Sequence, residues 1–255
     1  MSVPCRLLPH TSAPGDLQMA TDEALLDSVA ADGESAVLRT YDWSPPALTL
    51  GYFQSIHDPE LSQPRWGVPI FRRATGGGAI WHDREITYTI VIPRIHPLAR
   101  RSTDLYRAIH GALAMELRRD GLEATRRAEF HLVDPLSRPH PVARPLLCFE
   151  DGDPEDILLH GHKIIGSAQR RRLGAVLQHG SILLSAAQRT PELPGIREIT
   201  GVEQDLSIWS ARIARAIPFA LDLEPIRSEP TPSELADADR LRREVYGTTE
   251  WTGRR

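Results

Sequence analysis

Residues 72–83 read Arg72-Arg73-Ala74-Thr75-Gly76-Gly77-Gly78-Ala79-Ile80-Trp81-His82-Asp83 and join two β-like runs. Three consecutive glycines leave the backbone bare, so a ligand can lie against its N–H groups with no Cβ in the way. A glycine run alone is also common turn material. The neighbours favour a site: Arg72 and Arg73 offer guanidinium donors for a carboxylate or phosphate. His82 and Asp83 set an imidazole and a carboxylate at the far end of the loop. No other His, Cys or Asp cluster stands at ligand spacing, so no metal site is expected. His82 is read as a pocket wall or a substrate hydrogen-bonding residue.

Further along the chain stands Gly161-His162-Lys163-Ile164-Ile165-Gly166-Ser167-Ala168-Gln169, followed by Gln178-His179-Gly180-Ser181. Lys163 is the sole lysine; the other 29 of the 30 basic residues are arginine. An edge-strand lysine in water is the ordinary fate of such a residue. Partial burial would instead lower its pKa, making it a proton acceptor or a ligand for a carbonyl oxygen. Cys148 follows Leu146-Leu147 and precedes Phe149-Glu150. Free cysteines are commonly inert small hydrophobes. To become a nucleophile at neutral pH the thiol needs a nearby cation or helix terminus, and Lys163, fifteen positions on, could be that cation.

Outward from these segments, 255 residues suffice for one large domain, with a core over about 19–221 and a terminal helix at 233–246. Hydrophobic content of 41% and charged content of 25% are those of a soluble globular chain, and a formal charge of −4 gives no global argument for nucleic acid. No stretch approaches the roughly 18 apolar residues of a membrane span. Met1–His10 lacks the apolar core of a signal peptide. Cys5 and Cys148 form neither a disulfide framework nor a zinc pattern, which points to a reduced, cytoplasmic protein; a monomer is expected. Periodicity predicts helices at 19–31, 104–119, 206–221 and 233–246. It predicts strands at 36–41, 48–53, 68–73 and 86–92, and a hairpin of 156–169 with 175–184 turning at Arg170–Gly174. In the strand at 86–92, Ile86, Tyr88, Ile90 and Ile92 share one face. Residues 134–145, rich in proline and arginine, read as a loop or insertion. The expected fold class is α/β (α+β), a mixed, largely antiparallel sheet flanked by helices.

These motifs together resemble the catalytic domain of lipoate- and biotin-handling transferases and ligases. The resemblance rests on Arg-Arg-x-Thr-Gly-Gly-Gly-x-x-x-His-Asp, Lys-Ile-x-Gly-Ser-Ala-Gln and Gln-His-Gly-Ser-Ile. It extends to the opening Met19-Ala20-x-Asp22-Glu23-Ala24-Leu25-Leu26, to Tyr41-x-Trp43-x-Pro45-Pro46 and to Tyr246-Gly247…Trp251. It implies the biotin/lipoate ligase catalytic-domain fold of class II synthetase type. Within that superfamily, lipoate ligases usually follow His-Asp with Gly-Asn, whereas this chain has Arg84-Glu85; many stand-alone ligases also append a C-terminal accessory domain, where this length is expected to leave room only for a terminal helix. Cys148-Phe149-Glu150 is similar to the cysteine motif of octanoyltransferases, although Asp151-Gly152-Asp153-Pro154 departs from their usual continuation.

The resemblance implies octanoyl transfer from acyl carrier protein to a lysine of a lipoyl domain or glycine-cleavage H protein, through a Cys148 thioester and without a cofactor. Cys148 and Lys163 would be catalytic. Arg72, Arg73, Thr75, Gly76, Gly77, Gly78, His82, Gly166, Ser167, Ala168, Gln169, His179 and Gly180 would bind substrate. Tyr41, Leu50, Ile80 and Ile90 are candidate walls of an acyl tunnel. Arg100-Arg101 and Arg170-Arg171-Arg172 would form a docking patch for an acidic carrier protein. Two alternatives stay open. One is an ATP- and Mg-dependent lipoate ligase in which Cys148 is a bystander; the other is a non-catalytic acyl-binding paralogue.

Overall fold

The computed structural model describes residues 2–62, 66–133, 145–150 and 152–255. In chain order its strands are β1 (Val3–Leu7), β2 (Thr11–Ala13), β3 (Ala36–Trp43), β4 (Ala47–Leu50), β5 (Ile70–Arg72), β6 (Ile80–His82), β7 (Glu85–Ile92), β8 (Ala124–Arg126), β9 (Ile157–Leu159), β10 (His162–Arg172), β11 (Ala175–Leu183) and β12 (Leu223–Arg227). Its α-helices are α1 (Gly15–Asp32), α2 (Ser102–Arg119), α3 (Arg127–Val133), α4 (Ile196–Thr200), α5 (Leu206–Ala220), α6 (Pro232–Leu241) and α7 (Thr249–Thr252).

The larger sheet runs β12-β1-β3-β7-β11-β10-β9-β8, with β2 beside β3. Pairings among β12, β1, β2 and β3 are parallel; those from β3 through β8 are antiparallel. A smaller sheet, β5-β4-β6, carries the glycine loop between β5 and β6. The fold is thus the expected α+β class with a mostly antiparallel sheet.

Alternation on β7 sets the two faces. Ile86, Tyr88, Ile90 and Ile92 pack with Leu105, Ile109, Leu113 and Leu117 of α2 and with Trp209, Ile213 and Ile217 of α5. On the other face Val91, Val37 and Leu177 meet Leu25, Leu26 and Val29 of α1. α6 lies against α1, where Ala238, Leu241 and Tyr246 join Met19, Ala20 and Ala24. Among the described residues no helix is long and apolar enough to cross a membrane.

Several boundaries differ from the sequence reading. The first arm of the hairpin is two strands, β9 and β10, because His160 and Gly161 adopt left-handed φ values of 47° and 82° and turn the chain. The strand predicted to reach Phe53 stops at Leu50. A Cβ on Gly51 would stand 1.9 Å from the Gly77 carbonyl oxygen, so this position is shaped by the glycine loop. α1 begins at Gly15, four residues before the predicted start, which places Asp22 in mid-helix instead of the first turn. Residues 134–144, predicted as loop, lie outside the described residues.

Candidate active site

β5 and β6 deliver the glycine loop to the segment carrying Cys148. Ala79 donates to the Leu146 carbonyl at 2.8 Å, and Cys148 donates to the Ala79 carbonyl at 2.7 Å, a short parallel pairing. The approach is so close that a Cβ on Gly78 would fall 2.8 Å from the Cys148 nitrogen. Gly77 adopts φ 95°, and a Cβ there would stand 3.6 Å from the Arg73 guanidinium and 3.8 Å from the Cys148 sulfur. The bare backbone expected to receive a ligand therefore also receives the main chain of Cys148.

Lys163 enters from β10. Its Nζ donates to the Cys148 carbonyl at 2.9 Å and lies 3.7 Å from Cys148 Sγ. Nζ also forms an ion pair of 2.9 Å with Asp156 Oδ2. The ladder between β9 and β10 shifts register between Lys163 and Ile165. Gly166 leaves room for the lysine stem: a Cβ there would meet Lys163 Cε at 2.7 Å. Burial pulls the Lys163 ammonium down, but Cys148 and the Asp156 carboxylate outweigh it and hold the group above its ordinary value. This reverses the sequence expectation of a lowered pKa: lysine burial was legible, whereas the carboxylate brought beside it was not.

Cys148 lies where two cavities meet. One is a narrow, mostly apolar cleft lined by Met19, Tyr41, Trp43, Ile80, His82 and Phe149, with Gly76, Gly77, Gly166, Ser167, Ala168, His179 and Gly180 along its rim and walls. The other is an open groove lined by Gly76–Gly78, Tyr106, Asp153, Asp156, Lys163 and Gln169. Of the four candidate walls, Tyr41 and Ile80 line the cleft. Leu50 belongs to the core of the smaller sheet, and Ile90 faces the α2–α5 core.

His82 is wall and not a free hydrogen-bonding group. It stacks on Trp43 at 3.7 Å, its Nε2 pairs with Thr49 Oγ1 at 2.8 Å, and its Nδ1 pairs with Glu85 at 2.8 Å. Glu85, and not Asp83, is the carboxylate that orients it. Burial holds the imidazole below its ordinary pKa despite Glu85. His179, paired with Ala168 across the β10–β11 ladder, is fixed by Thr75 Oγ1 at 2.7 Å and by Asp22 at 2.9 Å. Asp22 also accepts from Arg39 and Tyr41, and against its own burial Arg39 and His179 hold it below the usual carboxylate range. Asp22, Arg39, Asp156 and Glu85 are thus site-shaping residues that sequence reasoning missed. Ser167 Oγ is held by Tyr88 at 2.7 Å and His110 at 2.5 Å.

The two arginines part company. Arg72 is fully buried and donates to the carbonyls of Thr252, Gly51, Tyr52 and Gln54, so it ties loop to tail and contacts no cleft atom. Arg73, the next residue, points to the opposite side. It donates to Thr49, Gly76 and Gly78, lines the cleft, and has an Nε with no partner among the described residues. Burial lowers Arg73 to about 10, which leaves it cationic at neutral pH. The predicted basic patch divides in the same way. Arg172 pairs with Glu23 and Asp27, and Arg170 lies over the Tyr52 ring at 5.5 Å. Only Arg171 joins Arg100 and Arg101.

The fold is that of lipoate–protein ligases. A lipoate-protein ligase A crystal structure bound with ATP superposes with a TM-score of 0.74 at 23% identity, covering 99% of both chains. A bipartite lipoate protein ligase from Thermoplasma acidophilum, described with its E2 lipoyl domain, gives 0.69 at 22% identity over 99% of this chain and 97% of that one. Residues 14–193 match the model of the lipoyl protein ligase A/B catalytic domain, and the chain belongs to that family. Among curated relatives, octanoyltransferase LipM of Anoxybacillus flavithermus is 32% identical over 93% of each chain. Octanoyltransferase LipM of Geobacillus kaustophilus is 37% identical over 70% of this chain and 65% of its own.

Proposed function

We propose that this protein is an octanoyltransferase of lipoate biosynthesis that carries the acyl group on Cys148. The observation that carries the reading is the Lys163 ammonium 3.7 Å from Cys148 Sγ, at the junction of an apolar cleft and an open groove. Relatives named octanoyltransferase, similar over nearly the whole chain, support it.

In the first half-reaction the Cys148 thiolate adds to the thioester carbonyl of octanoyl-acyl carrier protein. The C–S bond to the carrier breaks, and the carrier thiol leaves with the proton that Cys148 gave up. In the second, the neutral ε-amine of a lysine on a lipoyl domain or glycine-cleavage H protein attacks the Cys148 thioester. An amide forms, and the proton shed by the amine returns to the cysteine sulfur. One thioester replaces another in the first step, so no nucleotide is consumed. The Lys163 ammonium attracts the thiolate and the oxyanion of each tetrahedral intermediate, and backbone N–H groups around Gly76–Gly78 share that charge. The buried Arg73 cation lies beneath the same loop. Each methylene held in the cleft contributes about 0.8 kcal/mol, which makes cleft depth a gauge of chain length.

The test is the intact mass of the protein mixed with octanoyl-acyl carrier protein in the absence of ATP, beside Cys148→Ala. The expected result is an added octanoyl mass on the wild type alone, cleared when a lipoyl domain is supplied. No adduct, with acceptor modification only when ATP and free octanoate or lipoate are present, would overturn the reading in favour of a ligase.

A further inference from the structure

The open groove at Cys148 continues into a second one at the start of α2. This second groove is lined by Arg100, Arg101, Ser102, Thr103, Arg107 and Arg171, and Ser102 is common to both. Gln169, on the wall of the first groove, donates to the carbonyl of this shared Ser102 at 3.1 Å and so ties the two linings together. The charge here is unbalanced. Arg107 pairs with Glu155, but among the described residues no carboxylate pairs with Arg100, Arg101 or Arg171. Asp104 is the one acidic side chain in the lining. The Arg171 guanidinium is positioned by the Ala99 carbonyl.

Resting on the acyl-carrier reading above, we propose that this arginine groove binds the phosphodiester of the donor's phosphopantetheine arm. A thioester donor must place its carbonyl at Cys148 while the phosphate at the other end of a long neutral arm stays outside the polar passage. A groove that joins the cysteine at one end and gathers unpaired guanidinium groups at the other matches that distribution of charge. Guanidinium forks suit phosphate oxygens geometrically as well as electrostatically. The amide end of α2, where the Arg101 side chain supplies no cap, adds donors of the same polarity.

The proposal is tested with two protein-free donors, octanoyl-4′-phosphopantetheine and octanoyl-pantetheine, which differ only in the phosphate. Cys148 acylation is followed by mass for the wild type, for Arg101→Ser/Arg171→Gln and for Arg101→Lys/Arg171→Lys. Expected is a phosphorylated-to-dephosphorylated ratio of kcat/KM of about five- to tenfold in the wild type, falling toward unity in the Ser/Gln variant and in high salt. The Lys/Lys variant retains most of the ratio, which separates charge from misfolding. A wild-type ratio of unity with both donors loading Cys148 overturns the phosphate groove and leaves the transferase reading standing. If neither donor loads Cys148, but octanoyl-acyl carrier protein does, the arm is not recognised by itself and the groove proposal falls. If none of the three loads it, both proposals fall.

Discussion

Asp156 is the residue that decides what Lys163 can be. Its carboxylate is buried, 2.9 Å from Nζ, and also accepts the Asp153 N–H at 2.7 Å, so it cannot swing away without losing both. Groups facing Nζ are Cys148, Asp156, the Arg127 guanidinium and the Phe149 ring. In Asp156→Asn, burial and Arg127 still pull the ammonium down, while the carboxylate that helped Cys148 hold it up is gone. The activity that needs the cation is then lost at a lower pH than in the wild type. We expect kcat/KM for Cys148 acylation to fall on the order of 10²-fold at neutral pH. The descending limb of its pH profile should move to lower pH, whereas a fall with no movement of that limb would reduce Asp156 to a packing residue. In the sequence, Lys163 announced itself by its solitude and its apolar neighbours. The direction of its pKa shift was misread because Asp156 reaches it only through a β-turn and a register shift. Arg72 was misread for a related reason: two adjacent strand residues cannot both face one cleft.

At the scale of the element, the glycine loop divides its labour residue by residue, and this yields a discriminating pair of substitutions. A Cβ on Gly78 would strike the backbone nitrogen and Cα of Cys148 at 2.8 and 3.0 Å, and neither atom can rotate aside. A Cβ on Gly76 would meet only the Phe53 side chain, at 3.8 Å, an ordinary contact. Gly78→Ala is therefore expected to displace Cys148 and, on the proposed mechanism, to lower acylation by about 10²-fold or more, since misplacement of that order has that effect on a reacting group. Gly76→Ala should stay within about twofold of the wild type. Single-turnover acylation rates compare the two directly; equal rates would mean that the loop yields as a whole. The sequence showed that something approaches this loop closely. It could not show that the approaching group is Leu146–Cys148, because the contact joins segments nearly seventy positions apart and leaves no local period. The same limit applies to β1 and β12: five-residue strands, each interrupted by a proline, whose parallel pairing sets Val3 beside Leu223. β7 and α2, long and strongly periodic, were read almost to the residue.

Over the whole molecule, a buried carboxylate joins the two ends of the chain. Glu234 caps the first turn of α6 by accepting the Thr231 N–H at 2.7 Å. It also accepts Arg6 of β1 at 2.6 and 2.8 Å and Ser28 of α1 at 2.8 Å. Burial alone would raise its pKa, but Arg6, Thr231 and Ser28 together lower it from 4.5 to about 2. A carboxyl held below its unfolded value stabilises the fold fully above the unfolded pKa, and that contribution disappears as the pH falls through the folded one. Glu234→Gln keeps the shape and removes the charge. It should lower stability at neutral pH by about 1–2 kcal/mol, seen as a drop in Tm of about 2–4 °C per kcal/mol for a chain of this length. The gap between variant and wild type should hold constant above about pH 5.5, narrow from pH 4.5, and close as the pH falls through about 2, below which both side chains are neutral. Thermal melts across that range measure it. A gap independent of pH would mean that Glu234 acts through packing and capping alone. A gap that closes on this schedule would show the charge of Glu234 holding α6 and β1 together, and with them the α1 helix that supplies Met19 to the cleft and Asp22 to His179.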